Sequence, residues 1–203
     1  MGSKGSTSVD RMDLEYGASA VRFARSVIEN ETGRTSGEVT VPDGFSDPKG
    51  AFVTLKTFPE GDLRGCIGIP LPVLPLCDAL VEAARAACHD PRFIDLEQSE
   101  LDRVTVEVTV LDVPHIIDCP REELPSNIMI GRDGLIISYR GRRGLLLPQV
   151  PEEQGWDVMD YLEGICMKAG LPRGTWKDER AEISAFSGKV FHEVTPYGDI
   201  TEG

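Results

Sequence analysis

Between Val104 and Val110 the chain alternates strictly, with valines at 104, 106, 108 and 110 and with Thr105, Glu107 and Thr109 between them. A period of two puts the valines on one face of a β-strand and the polar residues on the other. A second alternating run, "GAFVTLKTFPEGDLRGCIGI", breaks at Pro59-Glu60-Gly61-Asp62 and resumes, which predicts a β-hairpin whose returning strand is "LRGCIG". Helical spacing takes over elsewhere. Leu14, Val21, Ala24, Val27 and Ile28 share one side of a helix that stops at Thr32-Gly33. Leu76, Leu80, Ala83, Ala84 and Ala87 mark a second helix, with Pro91 beyond its end. Trp156, Met159, Leu162, Cys166 and Ala169 mark a third, stopped by Gly170. Residues 33–49 read as a loop, and "NIMIGRDGLIISYRGRRGLLLPQV" reads as three strands joined by two tight turns. The tail "AEISAFSGKVFHEV" returns to strand. Strands group by hairpins and do not alternate with helices, so the fold class is α+β, an antiparallel sheet with packed helices.

Length and composition leave that picture intact and narrow the function classes. A chain of 203 residues can bury a real core. The first dozen residues are polar and rich in glycine and serine, and they predict a disordered lead over 1–12 before a single domain over 13–203. No apolar run approaches a membrane span, and no membrane partner is expected. The five cysteines are odd in number and never form C-x-x-C, which suits free thiols in a cytoplasmic chain. Neither Cys88-His89 nor His115 before Cys119 has zinc-ligand spacing, so no metal and no cofactor is expected.

A net charge of −13 argues against nucleic acid binding over the whole surface. The charge is uneven, however. From Arg121 to Val150 five arginines face only Glu122, Glu123 and Asp133, and the turn "RGRRG" could hold a small anion through Arg140, Arg142 and Arg143.

The chemistry concentrates on Cys66. Glycines on both sides of a strand residue mark a bulge or a close approach. On one reading Gly65 and Gly68 clear space around the thiol, and Arg64 favours its thiolate. On the other, Leu63, Gly65 and Ile67 face one way, Arg64, Cys66 and Gly68 the other, and the glycines let a helix sit close. Glu107 stands on the polar face of its strand, solvated or paired with Arg64. Asp90 and Pro91 end the second helix, from where Arg92 could reach a helix C-terminus or a carboxylate. Gln149, at a strand end, offers one amide donor and one acceptor. His89 is the one candidate base for Cys66.

In order, "GAFVTLK…LRGCIG", "HDPRF", "VEVTVL", "GRDGLII", "GLLLPQV" and "CMKAGL" with Trp176 resemble the motifs of the AMMECR domain family over residues 14–196. The resemblance implies an archaeal or bacterial stand-alone member, a larger and a smaller lobe, and a cleft near the signature. It implies no reaction. Similar domains occur alongside Memo-type and radical S-adenosylmethionine proteins, which suggests pathway partners in a modification pathway. Two function classes stand. One is a module binding a small anionic or nucleobase-like ligand, or a partner, through Leu63, Gly65, Ile67, Gly68, Glu107, Arg140, Arg142, Arg143 and Gln149. The other is an enzyme using Cys66 with Arg64 and His89 in thiol chemistry on a small substrate or modified base.

Overall fold

The computed structural model describes residues 14–203; the expected disordered lead lies outside the described residues. Two compact units form: one runs to Leu111 and resumes at Lys189–Gly203, and the other is Asp112–Gly188.

The first unit contains helices α1 (Leu14–Glu31) and α2 (Leu76–Cys88) and strands β1 (Gly50–Thr57), β2 (Leu63–Ile69), β3 (Val104–Leu111), β8 (Gly188–Glu193) and β9 (Ile200–Glu202). The strands form one sheet in the order β2-β1-β3-β8-β9, so β2 is an edge strand. The four valines of β3 are buried with Ala51, Val53 and Leu55 of β1 beneath the apolar sides of α1 and α2. Thr105, Glu107 and Thr109 on the opposite face are half-buried, as the alternation requires.

The second unit holds β4 (His115–Ile116), β5 (Gly134–Tyr139), β6 (Arg142–Leu146), α3 (Val150–Gln154), α4 (Val158–Lys168) and β7 (Glu182–Phe186). Its sheet runs β4-β7-β5-β6, and Leu135, Ile137 and Leu146 pack against Leu162, Ile165 and Cys166 of α4.

Three expectations need correcting. "NIMI" forms no strand: its chain turns instead, with buried Asp133 accepting the Met129 N–H at 2.8 Å and a bidentate contact from Arg132. The tail strand is two strands in different sheets, and Ser187 between them accepts Asp112 N–H at its carbonyl and donates its hydroxyl to the Asp112 carboxylate at 2.7 Å. The ends of the second unit are thereby tied together. Met159 is exposed on α4, and buried Tyr161, whose hydroxyl donates to the Asp133, Leu146 and Leu147 carbonyls, fills the core in its place.

One ion pair closes the first unit. Arg25 of α1 donates to both carboxylate oxygens of Glu193 on β8, through Nε at 3.0 Å and through Nη2. It also reaches the Val104 carbonyl at 2.8 Å, and Glu193 accepts the Val106 N–H at 3.0 Å. Both residues are buried. Removing one partner strands the other charge, so Glu193→Gln and Arg25→Met should each lower stability by about 3–5 kcal/mol. The Arg25→Met/Glu193→Leu double variant should recover most of that loss, as read by urea denaturation; additive losses would contradict the pairing.

Candidate functional site

Among the described residues the signature strand β2 pairs only with β1, through Leu55↔Gly65, Thr54↔Cys66 and Phe52↔Gly68, with an irregularity where Lys56 meets Leu63. Each flanking glycine has a steric cause. A Cβ on Gly65 would press into the Ala87 carbonyl at the end of α2, and one on Gly68 would enter the Phe52 ring. These glycines bring the edge strand close to its neighbours, which is the packing reading of the motif.

An edge strand leaves N–H and C=O groups unpaired on its outer side. At Cys66 the segment after α2 supplies side chains where a neighbouring strand would supply backbone. Asp90 Oδ2 accepts the Cys66 N–H at 2.9 Å, and Arg92 Nη2 donates to the Cys66 carbonyl at 3.2 Å. Arg92 also binds Asp90 through Nε at 3.0 Å and Nη2 at 2.6 Å. Asp90 is buried, and the Arg92 guanidinium together with two backbone N–H donors holds its carboxyl far below the ordinary carboxylate range. The aspartate that ends the helix therefore latches the edge strand.

Arg64 is buried and faces an acid. It grips Glu100 through Nε at 2.8 Å and Nη2 at 2.9 Å, with Phe93 beneath the guanidinium at 5.9 Å. Glu100 accepts the Glu97 N–H at 2.9 Å, so the pair also fixes the turn before β3. Arg64 Nη1 is buried without a hydrogen-bond partner among the described residues.

The thiol itself lies on the sheet face away from the helices, half-buried, and Thr54 Oγ1 donates to its sulfur at 3.3 Å. Thr54 pairs with Glu107 on its other side, so Cys66, Thr54 and Glu107 form one row across three strands. Two strand spacings, roughly 10 Å, separate the outer members. Glu107 pairs with Lys56 at 2.7 Å and not with Arg64. His89 is not brought to the thiol: Nε2 meets Glu31 at 3.1 Å and Nδ1 meets Asp95 at 3.1 Å. Leu63 is exposed, and Ile67 is half-buried. Arg140, Arg142, Arg143 and Gln149 belong to the second unit, where Gln149 is exposed ahead of α3.

Two cavities stand out among the described residues. One of about 430 Å³ lies between Ile116–Arg121 and Glu179–Ile183, and one of about 250 Å³ lies among Phe23, Val27, Val39, Cys77 and Val81. Neither is lined by a residue of "LRGCIG". Among the described residues no cluster of His, Cys, Asp and Glu could hold a metal ion, and no helix is long and apolar enough to cross a membrane.

The AMMECR1 family model matches residues 21–191, a span that includes the latch, all of the second unit and most of the first. The chain belongs to the AMMECR1 family. It is 49% identical to Protein MJ0810 of Methanocaldococcus jannaschii over 195 residues, covering 94% of this chain and 96% of that protein. It is 48% identical to a protein of Aquifex aeolicus, over 80% of this chain and 86% of that one. The crystal structure of the uncharacterized protein PH0010 from Pyrococcus horikoshii superposes with a TM-score of 0.75 at 41% identity, covering 94% of this chain and 98% of that one. No activity comes with these relatives. The AMMECR1 signature is thus known here by its geometry.

Sequence reasoning overlooked Thr54, because a threonine on a polar strand face carries no signal until its cross-strand partner is known. It placed Arg92 within reach of a carboxylate, but could not show that both residues act on the backbone of Cys66.

His89 yields a pH prediction. Hydrogen bonds to Asp95 and Glu31 raise its pKa above the ordinary value of 6.5, with Arg85 also paired to Glu31 nearby. Its contribution to stability is fully present below pH 6.5 and is lost as pH rises through the folded-state value. Thermal midpoints should therefore fall across that window in the natural chain. The same slope in His89→Ala would assign it to another group.

Proposed function

We propose that this AMMECR1-family protein is a binding module in a modification pathway, taking a small anionic or nucleobase-like ligand, or a partner protein, at the face around the signature strand. The observation that carries the reading is that the polar groups at Cys66 are committed to holding the strand. Asp90 and Arg92 serve the Cys66 backbone, His89 is held by two carboxylates, and the Thr54 hydroxyl donates to the sulfur. A nucleophilic thiol needs a base within hydrogen-bond reach and a group to orient that base. The described residues offer neither.

Such a strand is well suited to recognition. It is thinned by glycine and carries half-buried Phe52, Cys66 and Glu107 on one face, with Thr54 buried among them. Arg64 keeps one buried donor without a hydrogen-bond partner among the described residues. We read the two units as lobes of one AMMECR-type domain, since the family match runs through both. The association of similar domains with Memo-type and radical S-adenosylmethionine proteins supplies the candidate partners, and the free thiols favour a cytoplasmic setting.

Cys66→Ser should fold and bind a purified Memo-type protein as the natural chain does, measured by calorimetry. Cys66→Leu should overpack the row against Thr54, lowering stability by about 1–3 kcal/mol. Loss of function in Cys66→Ser at an unchanged thermal midpoint would make the thiol chemical, and the enzyme reading would replace this one.

A further inference from the structure

The turn between β8 and β9 carries a side chain that its backbone disfavours. Glu193 pairs with Ile200 at the end of the hairpin, and the Gly198 N–H donates to the Thr195 carbonyl at 2.8 Å, so residues 195–198 form a β-turn. Pro196 takes its second position and Tyr197 its third, where φ is +62°. Proline followed by a residue of positive φ is the pattern of a type II turn, whose third position prefers glycine or asparagine. A tyrosine in that conformation costs stability.

The ring supplies the compensation. The Arg25 guanidinium lies 4.4 Å from the centre of the Tyr197 ring, and the Arg34 guanidinium lies 5.1 Å from it. Both distances suit a cation–π contact. Arg25 is the buried partner of Glu193 and is 4% exposed, whereas Tyr197 is 43% exposed. The ring therefore stands between the ion pair and solvent. Arg34 is tied in turn to Asp102 at 2.8 Å, which fixes the second cation beside the ring. Water reaching Arg25 and Glu193 would raise the local dielectric and weaken their attraction.

We propose that Tyr197 is a lid on the Arg25–Glu193 pair, and that the β8–β9 turn opens as a local unit, admitting water to the pair while the rest of the sheet stays formed. The surroundings suit such an opening. Val194, Thr195, Tyr197 and Asp199 are exposed, and β9 is an edge strand of three residues. Short, exposed segments with few buried contacts are where native proteins open first. The lid lies away from the signature strand and does not rest on the reading of the Cys66 face.

The test is native-state hydrogen exchange on the full chain, followed by NMR. The Val106 N–H donates to Glu193 at 3.0 Å and reports on the ion pair, while the Val53 amide of β1 reports on the sheet at large. Tyr197→Asn and Tyr197→Gly both accept the positive φ and both lack the ring. Each should speed exchange at Val106 by about ten-fold relative to Val53, the factor that one cation–π contact to a desolvated guanidinium supplies. Tyr197→Phe keeps the ring and should stay within about two-fold of the natural chain. The proposal fails if Val106 and Val53 change by the same factor in the asparagine and glycine variants, if neither amide changes, or if Val106 exchanges as fast in Tyr197→Phe as in Tyr197→Asn.

Discussion

The first unit is assembled from a chain that leaves it after Leu111 and returns at Lys189, and the buried pair between Arg25 and Glu193 is what makes the return specific. A strand re-entering a sheet after such an absence must find one register. Glu193 can be buried as an anion only where Arg25 and the Val106 N–H meet it, and Arg25 only where Glu193 and the Val104 carbonyl do. A slip of one residue along β8 would turn Glu193 to the other face of the sheet and leave Arg25 charged in the core. The pair therefore acts through the cost of alternatives more than through its own strength, since a buried ion pair gains little over apolar residues of similar size. On that register depends the position of β3, and on β3 that of β1 and the signature strand beyond it.

At the far side of the same sheet the problem is reversed. An edge strand must avoid pairing, and β2 has glycines that would make it an easy template. Asp90 and Arg92 answer with side chains, one accepting the Cys66 N–H and the other donating to its carbonyl. Those charges are already neutralised by each other, so satisfying the strand costs no unpaired ion. The latch also explains why helix α2 ends where it does. Ala87 and Cys88 sit against Gly65 and the core, and two residues later the chain must place a carboxylate beside β2. Cysteine at position 66 then reads as a small side chain in a row with Thr54 and Glu107, at a place where the backbone is held from both sides.

Much of this was legible in the chain. The strict alternation of 104–110, the hairpin of 50–69 and the three helical stripes determined the α+β class and the order of the main elements, because burial of one face imposes a period that survives in any context. Gly65 and Gly68 announced a close approach, and the order of motifs carried the family. What sequence left open was partnership. Arg64 chose Glu100 over Glu107, His89 chose Glu31 and Asp95 over the thiol, and the arginines of "RGRRG" diverged, because each choice depends on which residues the fold brings within about 3 Å and none is encoded by spacing. "NIMI" lost its strand to the buried carboxylate of Asp133, and the tail was divided between two sheets at Ser187. Local pattern fixes which face of an element is apolar; only tertiary structure decides which polar groups are left to meet, since hydrogen bonds and ion pairs act over distances shorter than the separation of the elements that carry them.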